Sequence, residues 1–507
     1  MARSGIIALV ATLVVAAGGA WLLVRSEALR GEEPPRPMPP PWPAPAPVAP
    51  KAAPALVAAR PVPVDLRWLA FAGGATPEFN QVSLEQDLGL VRETFGPQGY
   101  VLFGAGAGSP SVQVLAEHEP DPLRATLADL FAPRGGRDSS YRAPQTEVDG
   151  PATATAVRDA LTKAVAEPGE PLWVWIGGHG RQGPTARDNV TDLWGSGELR
   201  VDEVAEILDG ARRPVRVVST TCFGGGLGEL AFAGADPSRG AATTVRCGVF
   251  AAPWDLEATG CDPNPDRGAQ EGYALHVLHA LAGKDRGGAP VPLTELDLDG
   301  DGKVSLLEAH TRARLFAKTA DVPTTTSERW LRQVAPERGD GREYALPEEE
   351  AVIRTLARRL GMDGREADAH LQLEGFEARI EEIAKRLDDA RAVEDEAFVA
   401  ASADLLARWP VLDDPWHPQF AETLEVARPA LQEHLETSAT FRAYKDAVAV
   451  VNRETTALWD LRAEAAPYER LARAVDNRRL AARLHARGGP DWDTYETLLR
   501  CERSTLP

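Results

Sequence analysis

LWVWIGGHG at residues 172–180 and VRVVSTTCFGGG at 215–226 decide the fold of this chain. Each is a short, almost unbroken apolar run that ends in glycine, which is how a strand buried on both faces of a parallel sheet reads. Between them VDEVAEILDGA (201–211) carries its apolar residues at helical spacing. Working outward, LRWLAFAGG (66–74), YVLFGAG (100–106) and TVRCGVFAA (244–252) predict further strands, and 82–96, 122–131, 155–165 and 272–283 predict helices. Strands that alternate with helices imply the α/β class, a mostly parallel sheet sandwiched by helices. The rest of the 507 residues is of another kind.

From about residue 347 the strand pattern disappears and charged helix takes over. Leu373, Phe376, Ile380, Ile383, Leu387 and Ala390 form an apolar stripe at alternating three- and four-residue spacing, flanked by Glu381, Glu382, Lys385 and Arg386. The stripe spans little more than two heptads, so it predicts a packed helical hairpin rather than an extended coiled coil. Pro410, Pro418, Pro429, Pro467 and Pro490 divide this all-α region into four or five helices.

At the other end, residues 5–24 hold no charge and are long enough as a helix to cross about 30 Å of hydrocarbon. The expectation is a transmembrane signal-anchor, with a signal peptide cut near residues 16–20 as the competing reading and the bulk of the chain exported. Between residues 34 and 63, 13 of 30 residues are proline, which predicts an extended spacer. The organisation expected is therefore an anchor at 1–25, a Pro-rich linker at 26–64, an α/β domain at 65–335 and a helical domain at 336–507. Lys+Arg 55 against Asp+Glu 75 gives a net charge of -20, a field that repels phosphate backbones and excludes nucleic acid as a partner. Four cysteines in a chain of this length exclude a disulfide scaffold.

In parallel α/β sheets, ligands sit beyond the carboxyl ends of the strands. Two such ends carry chemistry here: Gly177, Gly178, His179 and Gly180 close the first quoted run, and Cys222 followed by three glycines after Phe223 closes the second. An imidazole beside a thiol, with glycines that let a carbonyl approach the backbone, is what a thiol acyl-transfer site requires. A buried cysteine after a strand is ordinarily core packing, and a histidine in a glycine-rich loop is often only polar. Their order and their positions at two strand ends favour the chemical reading.

The chain resembles the caspase-like cysteine peptidases of the caspase–hemoglobinase fold, nearest to the legumain-type and bacterial caspase-like members. The resemblance lies in a strand ending in His-Gly, a second ending in a small-residue-Cys-x-Gly turn 43 positions later, and GGATPEFNQVSLEQD (73–87) after the first strand. It covers about residues 65–335. It implies Cys222 as nucleophile, His179 as general acid/base, and the N–H groups of Gly180 and Cys222 as oxyanion donors. Thr-Thr-Cys-Phe-Gly-Gly stands where the caspases have Gln-Ala-Cys-x-Gly, so their Asp specificity does not carry over. In that fold the loops beyond the strand ends shape the substrate pocket. Asp255, Glu257 and Asp262 fall in such a loop and imply a preference for Arg or Lys.

Asp297, Asp299 and Asp301, Gly302 at the sharp turn, a Lys303 carbonyl, Ser305 and Glu308 fit the twelve-residue calcium loop at every diagnostic position. The entering segment is poor helix and the exit is good helix, so a half-hand is expected, with a solvated acidic helix cap as the competing reading. Cys247 and Cys261, 14 residues apart, read as a local bridge or as two free thiols, and Cys501 reads as core. The function expected is a membrane-tethered cysteine endopeptidase acting on peptide or protein with calcium as cofactor. The alternatives are an inactive calcium-loaded scaffold whose helical domain binds a protein partner, and another thiol hydrolase such as an amidase.

Overall fold

The computed structural model describes residues 59–115, 121–131, 139–414 and 417–506. Strand β1 (Trp68–Ala72) is followed by helix α1 (Val82–Phe95) and strand β2 (Gly99–Phe103). A hairpin of β3 (Val112–Leu115) and β4 (Ser139–Arg142) carries helix α2 (Pro122–Phe131) between its strands. Helix α3 (Ala154–Ala166) leads into β5 (Leu172–Ile176). A small antiparallel sheet of β6 (Gly180–Arg181), β7 (Val190–Leu193) and β8 (Gly197–Arg200) then precedes helix α4 (Val201–Asp209) and β9 (Val215–Ser219). After a 3-10 run at Gly224–Ala231 come β10 (Arg246–Phe250), α5 (Tyr273–Leu281), the single turn α6 (Leu293–Leu296), α7 (Leu306–Phe316), β11 (Thr324–Thr325) and α8 (Thr326–Val334).

The central sheet has the order β2–β1–β5–β9–β10–β11 and is parallel except for the edge pair β10–β11. Its strands bury both faces, which is why their sequences are continuously apolar. Side chains alternate across the pleat. Leu69, Phe71, Val174, Ile176 and Val217 pack on α3 and α4 on one face, while Trp68, Ala70, Trp173, Trp175 and Val218 pack on α1, α5 and α7 on the other. The strands and helices expected from the apolar runs all form, and the glycines that close the runs fall beyond the strand ends.

The helical region comprises α9 (Pro347–Leu360), α10 (Ala369–Arg408), α11 (Phe420–Val426), α12 (Arg428–Thr437), α13 (Ala439–Arg487) and α14 (Pro490–Glu502). Helices α10 and α13, of 40 and 49 residues, form a long hairpin. The predicted stripe is its seam, with Leu387 and Ala390 packed on Val451 and Leu458. Pro467 does not end a helix as expected; it lies inside α13. Losing one backbone bond there costs about 3 kcal/mol, which is offset by the burial of Leu471, Ala472 and Ala474 against Val352 and Leu356 of α9 just beyond it. At the far end of the hairpin Leu123, Leu127 and Leu130 of α2 pack on Phe398, Leu405 and Phe441, and Arg428 grips Asp121 at 2.7 and 3.0 Å.

Three expectations are corrected. Cys247 does not pair with Cys261: it forms a disulfide with Cys501, 254 residues away, because α14 packs on β10 through Trp492, Tyr495, Leu498 and Leu499. Cys501 is thus a bridge and not only core. The proposed spacer is docked at its end, where the Arg60 N–H donates to Asp149 O at 2.8 Å and the Tyr100 hydroxyl donates to Arg60 O. Membrane anchoring and the export inferred from it are withdrawn, since among the described residues no helix is long and apolar enough to cross a membrane. The stretch 5–24 and most of the Pro-rich linker lie outside the described residues.

Candidate active site

Strands β5 and β9 are hydrogen-bonded neighbours, with Ile176 opposite Ser219, so the two turns that follow them emerge side by side. Gly178 has φ +114°, and a Cβ there would lie 2.2 Å from Gly73 O, so the backbone enters the His179 turn through a gap that only glycine fits. A Cβ on Gly180 would lie 2.3 Å from Cys222 O, which places the His-Gly turn directly against the Cys turn. Phe223 takes φ 59° and ψ 13°, a left-handed conformation costly for an aromatic residue. It is held there by the Asn189 amide, which donates to Phe223 O at 2.9 Å. The ladder bond beside Gly180 runs from the Asp192 N–H to His179 O at 3.0 Å. Gly180 and Thr191 are therefore a pair without mutual hydrogen bonds, and the Gly180 N–H is not consumed by β7.

The structure brings the His179 and Cys222 turns together but does not couple their side chains. His179 Nε2 lies 3.0 Å from both Phe79 O and Gln81 Oε1, and its ring meets Phe79 edge-on. The Cys222 Sγ lies 3.4 Å from both Ala258 N and Ala258 O, accepting from one and donating to the other. Among the described residues no hydrogen bond joins His179 to Cys222. Burial lowers the His179 pKa against the opposing charge of Asp192, so the imidazole is neutral near pH 7. Burial, with Cys261 beside it, pushes the Cys222 thiol up to about 12. The resting pair is a neutral imidazole and a protonated thiol.

Of the three acids expected to line the pocket, only Asp255 is exposed. Glu257 pairs with Arg462 of α13 at 2.8 Å, and Asp262 caps its own turn through the Asn264 N–H at 2.8 Å. A cavity of about 20 Å3 opens beside Cys261, lined by Leu84, Asp87, Thr220, Thr259, Arg267 and Leu275 among others. Its two acids are engaged, since Arg267 holds Asp87 at 2.8 Å and Arg286 holds Glu271 at 2.8 Å. Sequence reasoning missed Gln81, Asn189 and Ala258; of its two readings of Cys261 the free thiol is the one that forms, with its Sγ 3.9 Å from Gly178 O. The pattern around Asn189 and Gln81 is that of ordinary loop residues. Only the tertiary fold brings them to the site.

The calcium-loop residues divide in two. Ligand atoms of Asp297, Asp299 and Glu308 lie within 4.8 Å of one another, so these three carboxylates converge as a hard-cation site requires. Asp297 also accepts from the Gly300 and Gly302 N–H groups at 2.7 and 2.9 Å, which folds the loop around it. Asp301 accepts from the exposed Lys303 N–H at 2.9 Å, outside that trio. Ser305 and Glu308 form a capping box that starts α7, each side chain bonding the other's backbone N–H. The entering α6 has only four residues, the half-hand the sequence implies. The competing acidic-cap reading is thus literally present at Ser305 and Glu308, alongside a carboxylate cluster that suits a cation.

No family model matches the chain, and no curated protein is significantly similar to it. No family evidence therefore supports a peptidase or an EF-hand, and the caspase-like resemblance stands on the quoted residues alone.

Proposed function

We propose that this chain is a cysteine endopeptidase of caspase-like character, with Cys222 as nucleophile and His179 as general acid/base. The observation that carries the reading is the juxtaposition of these two residues on abutting, glycine-lined turns at the carboxyl ends of adjacent parallel strands. In the reaction the thiol proton passes to the imidazole as sulfur bonds to the peptide carbonyl carbon. The Gly180 and Cys222 N–H groups receive the oxyanion. The C–N bond then breaks, the imidazolium gives its proton to the leaving amine, and water cleaves the thioester to release the acid and restore the thiol. A preference for Arg or Lys before the cut falls to Asp255, the exposed acid of its loop.

Calcium would suit the loop as a structural ion held by the converging Asp297, Asp299 and Glu308, with Asp301, the Lys303 carbonyl and Ser305 the further ligands that the twelve-residue pattern implies. It would supply a fixed positive charge at the start of α7. A second reading, a calcium-binding scaffold without activity whose helical region binds a protein partner, is favoured by one observation: the Cys222 Sγ is hydrogen-bonded to Ala258 and not to His179.

The two separate on incubating the full chain with a mixed peptide library, with and without calcium, beside Cys222→Ala. Cleavage by the parent and none by the variant is expected. Cleavage that survives the substitution sinks the dyad, and none under any condition leaves the scaffold. Mass spectrometry of the products shows whether a basic residue precedes the cut.

A further inference from the structure

Residues 254–260 do more than neighbour Cys222. The Asn189 amide donates to Trp254 O at 2.7 Å, the Phe223 N–H donates to Leu256 O at 2.8 Å, and both polar backbone atoms of Ala258 meet the Cys222 Sγ at 3.4 Å. The segment thus lies along the nucleophile turn and uses the thiol as one of its hydrogen-bonding partners. A substrate carbonyl reaching the sulfur has to take the place of Ala258.

The outer side of the same segment is held by the helical region. Glu257 pairs with Arg462 of α13 at 2.8 Å. Thr259 donates through its N–H and hydroxyl to the buried carboxylate of Asp321 at 2.7 and 2.9 Å. Asp321 is in turn fixed by α13, because the fully buried Arg470 spends its guanidinium on the carbonyls of Asp321, Ala317 and Thr319, the last two at 2.8 and 2.9 Å. One long helix therefore grips the segment twice, directly through Arg462 and through the 317–321 turn.

We propose that residues 254–260 are an autoinhibitory strap, closed over Cys222 by α13 and released when the helical hairpin shifts. The proposal rests on the reading of Cys222 as the nucleophile. The inner bonds of the strap are made by its backbone atoms, which a substrate strand can replace, whereas the outer ones run to Arg462 of α13 and to Asp321 of the turn that α13 holds. Loosening the outer set opens the site without touching the chemical groups.

The test reads the thiol rather than catalysis. Full-length protein is alkylated with iodoacetamide and the rate at Cys222 is followed by peptide mapping. Arg462→Ala removes a partly exposed ion pair and is expected to raise that rate about fivefold. Thr259→Val removes one bond to a buried carboxylate and is expected to raise it about tenfold or more, and the double variant more than either. If Arg462→Ala does not fold, Glu257→Gln breaks the same pair from the strap side. Unchanged Cys222 rates in folded variants overturn the strap. Faster alkylation with no peptide cleavage in any variant supports the strap and sinks the peptidase reading. Cleavage that rises while alkylation stays flat also overturns it.

Discussion

The two places where this molecule uses cysteine are opposites. At the carboxyl ends of β5 and β9, Cys222 sits on a strained turn, partly open to solvent, with its nearest partner in a loop held by helix α13. At the outer edge of the sheet, Cys247 of β10 is bridged to Cys501 of α14. Next to it Glu502, wholly buried, receives the N–H and the hydroxyl of Ser327 at 2.7 and 2.5 Å. The first site leaves strain and an exchangeable contact, while the second removes every freedom it can. The proposed site rests on contacts that can be exchanged, whereas the β10–α14 seam is locked covalently.

The widest test of that contrast is to remove each sulfur. Cys222→Ala is expected to abolish peptide cleavage, roughly a 10^6-fold loss of kcat by analogy with nucleophile removal elsewhere, while the thermal midpoint stays close to the parent's. Cys247→Ser with Cys501→Ser does the reverse, costing about 2–5 kcal/mol of stability in denaturant melts with Cys222 still reactive. If the first change proves the more destabilising, the contrast fails.

Acid titration sharpens it next. Burial raises the Glu502 pKa to about 8, against the Ser327 bonds that favour its charge. The folded state therefore binds this proton more tightly than the unfolded chain does. The stabilisation is complete below about 4.5, and it is lost as pH rises toward and through about 8. Stability measured from pH 5 to 9 should fall across that window, and Glu502→Gln should flatten the slope. A parent curve that rises across the window would refute it. The smallest effect is expected at the calcium loop. There Glu308→Gln should abolish calcium-dependent stabilisation, about 2.7 kcal/mol at a hundredfold excess over Kd, and leave the calcium-free melting point within a few degrees. A parent melting point unmoved by calcium would remove the ion from the account.

What could be read from the sequence divides along the same line. The central strands announce themselves because burial on both faces makes them continuously apolar, and the helices between them carry their periodicity openly. His179, Cys222 and the 297–308 loop are local patterns, visible within a dozen residues each. The strands β3, β4 and β6 to β8 are short and partly polar, and β11 has two residues, so no periodicity marks them. For Cys247 the sequence offers Cys261, 14 residues on, or no partner, because only proximity in sequence is visible there; nothing in YETLLRCERS points to β10. Pro467 reads as a break, yet packing just beyond it outweighs one lost backbone bond. The strap over Cys222 depends on residues 36 positions beyond the thiol and on arginines some 240 positions beyond, and only the folded chain brings them together.

The bridge between Cys247 and Cys501 makes a covalent ring of everything from β10 to α14, with residues 254–260 and the whole α10–α13 hairpin inside it. A single nick anywhere in that ring leaves one molecule, heavier only by the water added, under non-reducing conditions and two fragments once the bridge is reduced. A cut within residues 254–260 would therefore slacken that segment without shedding any part of the protein.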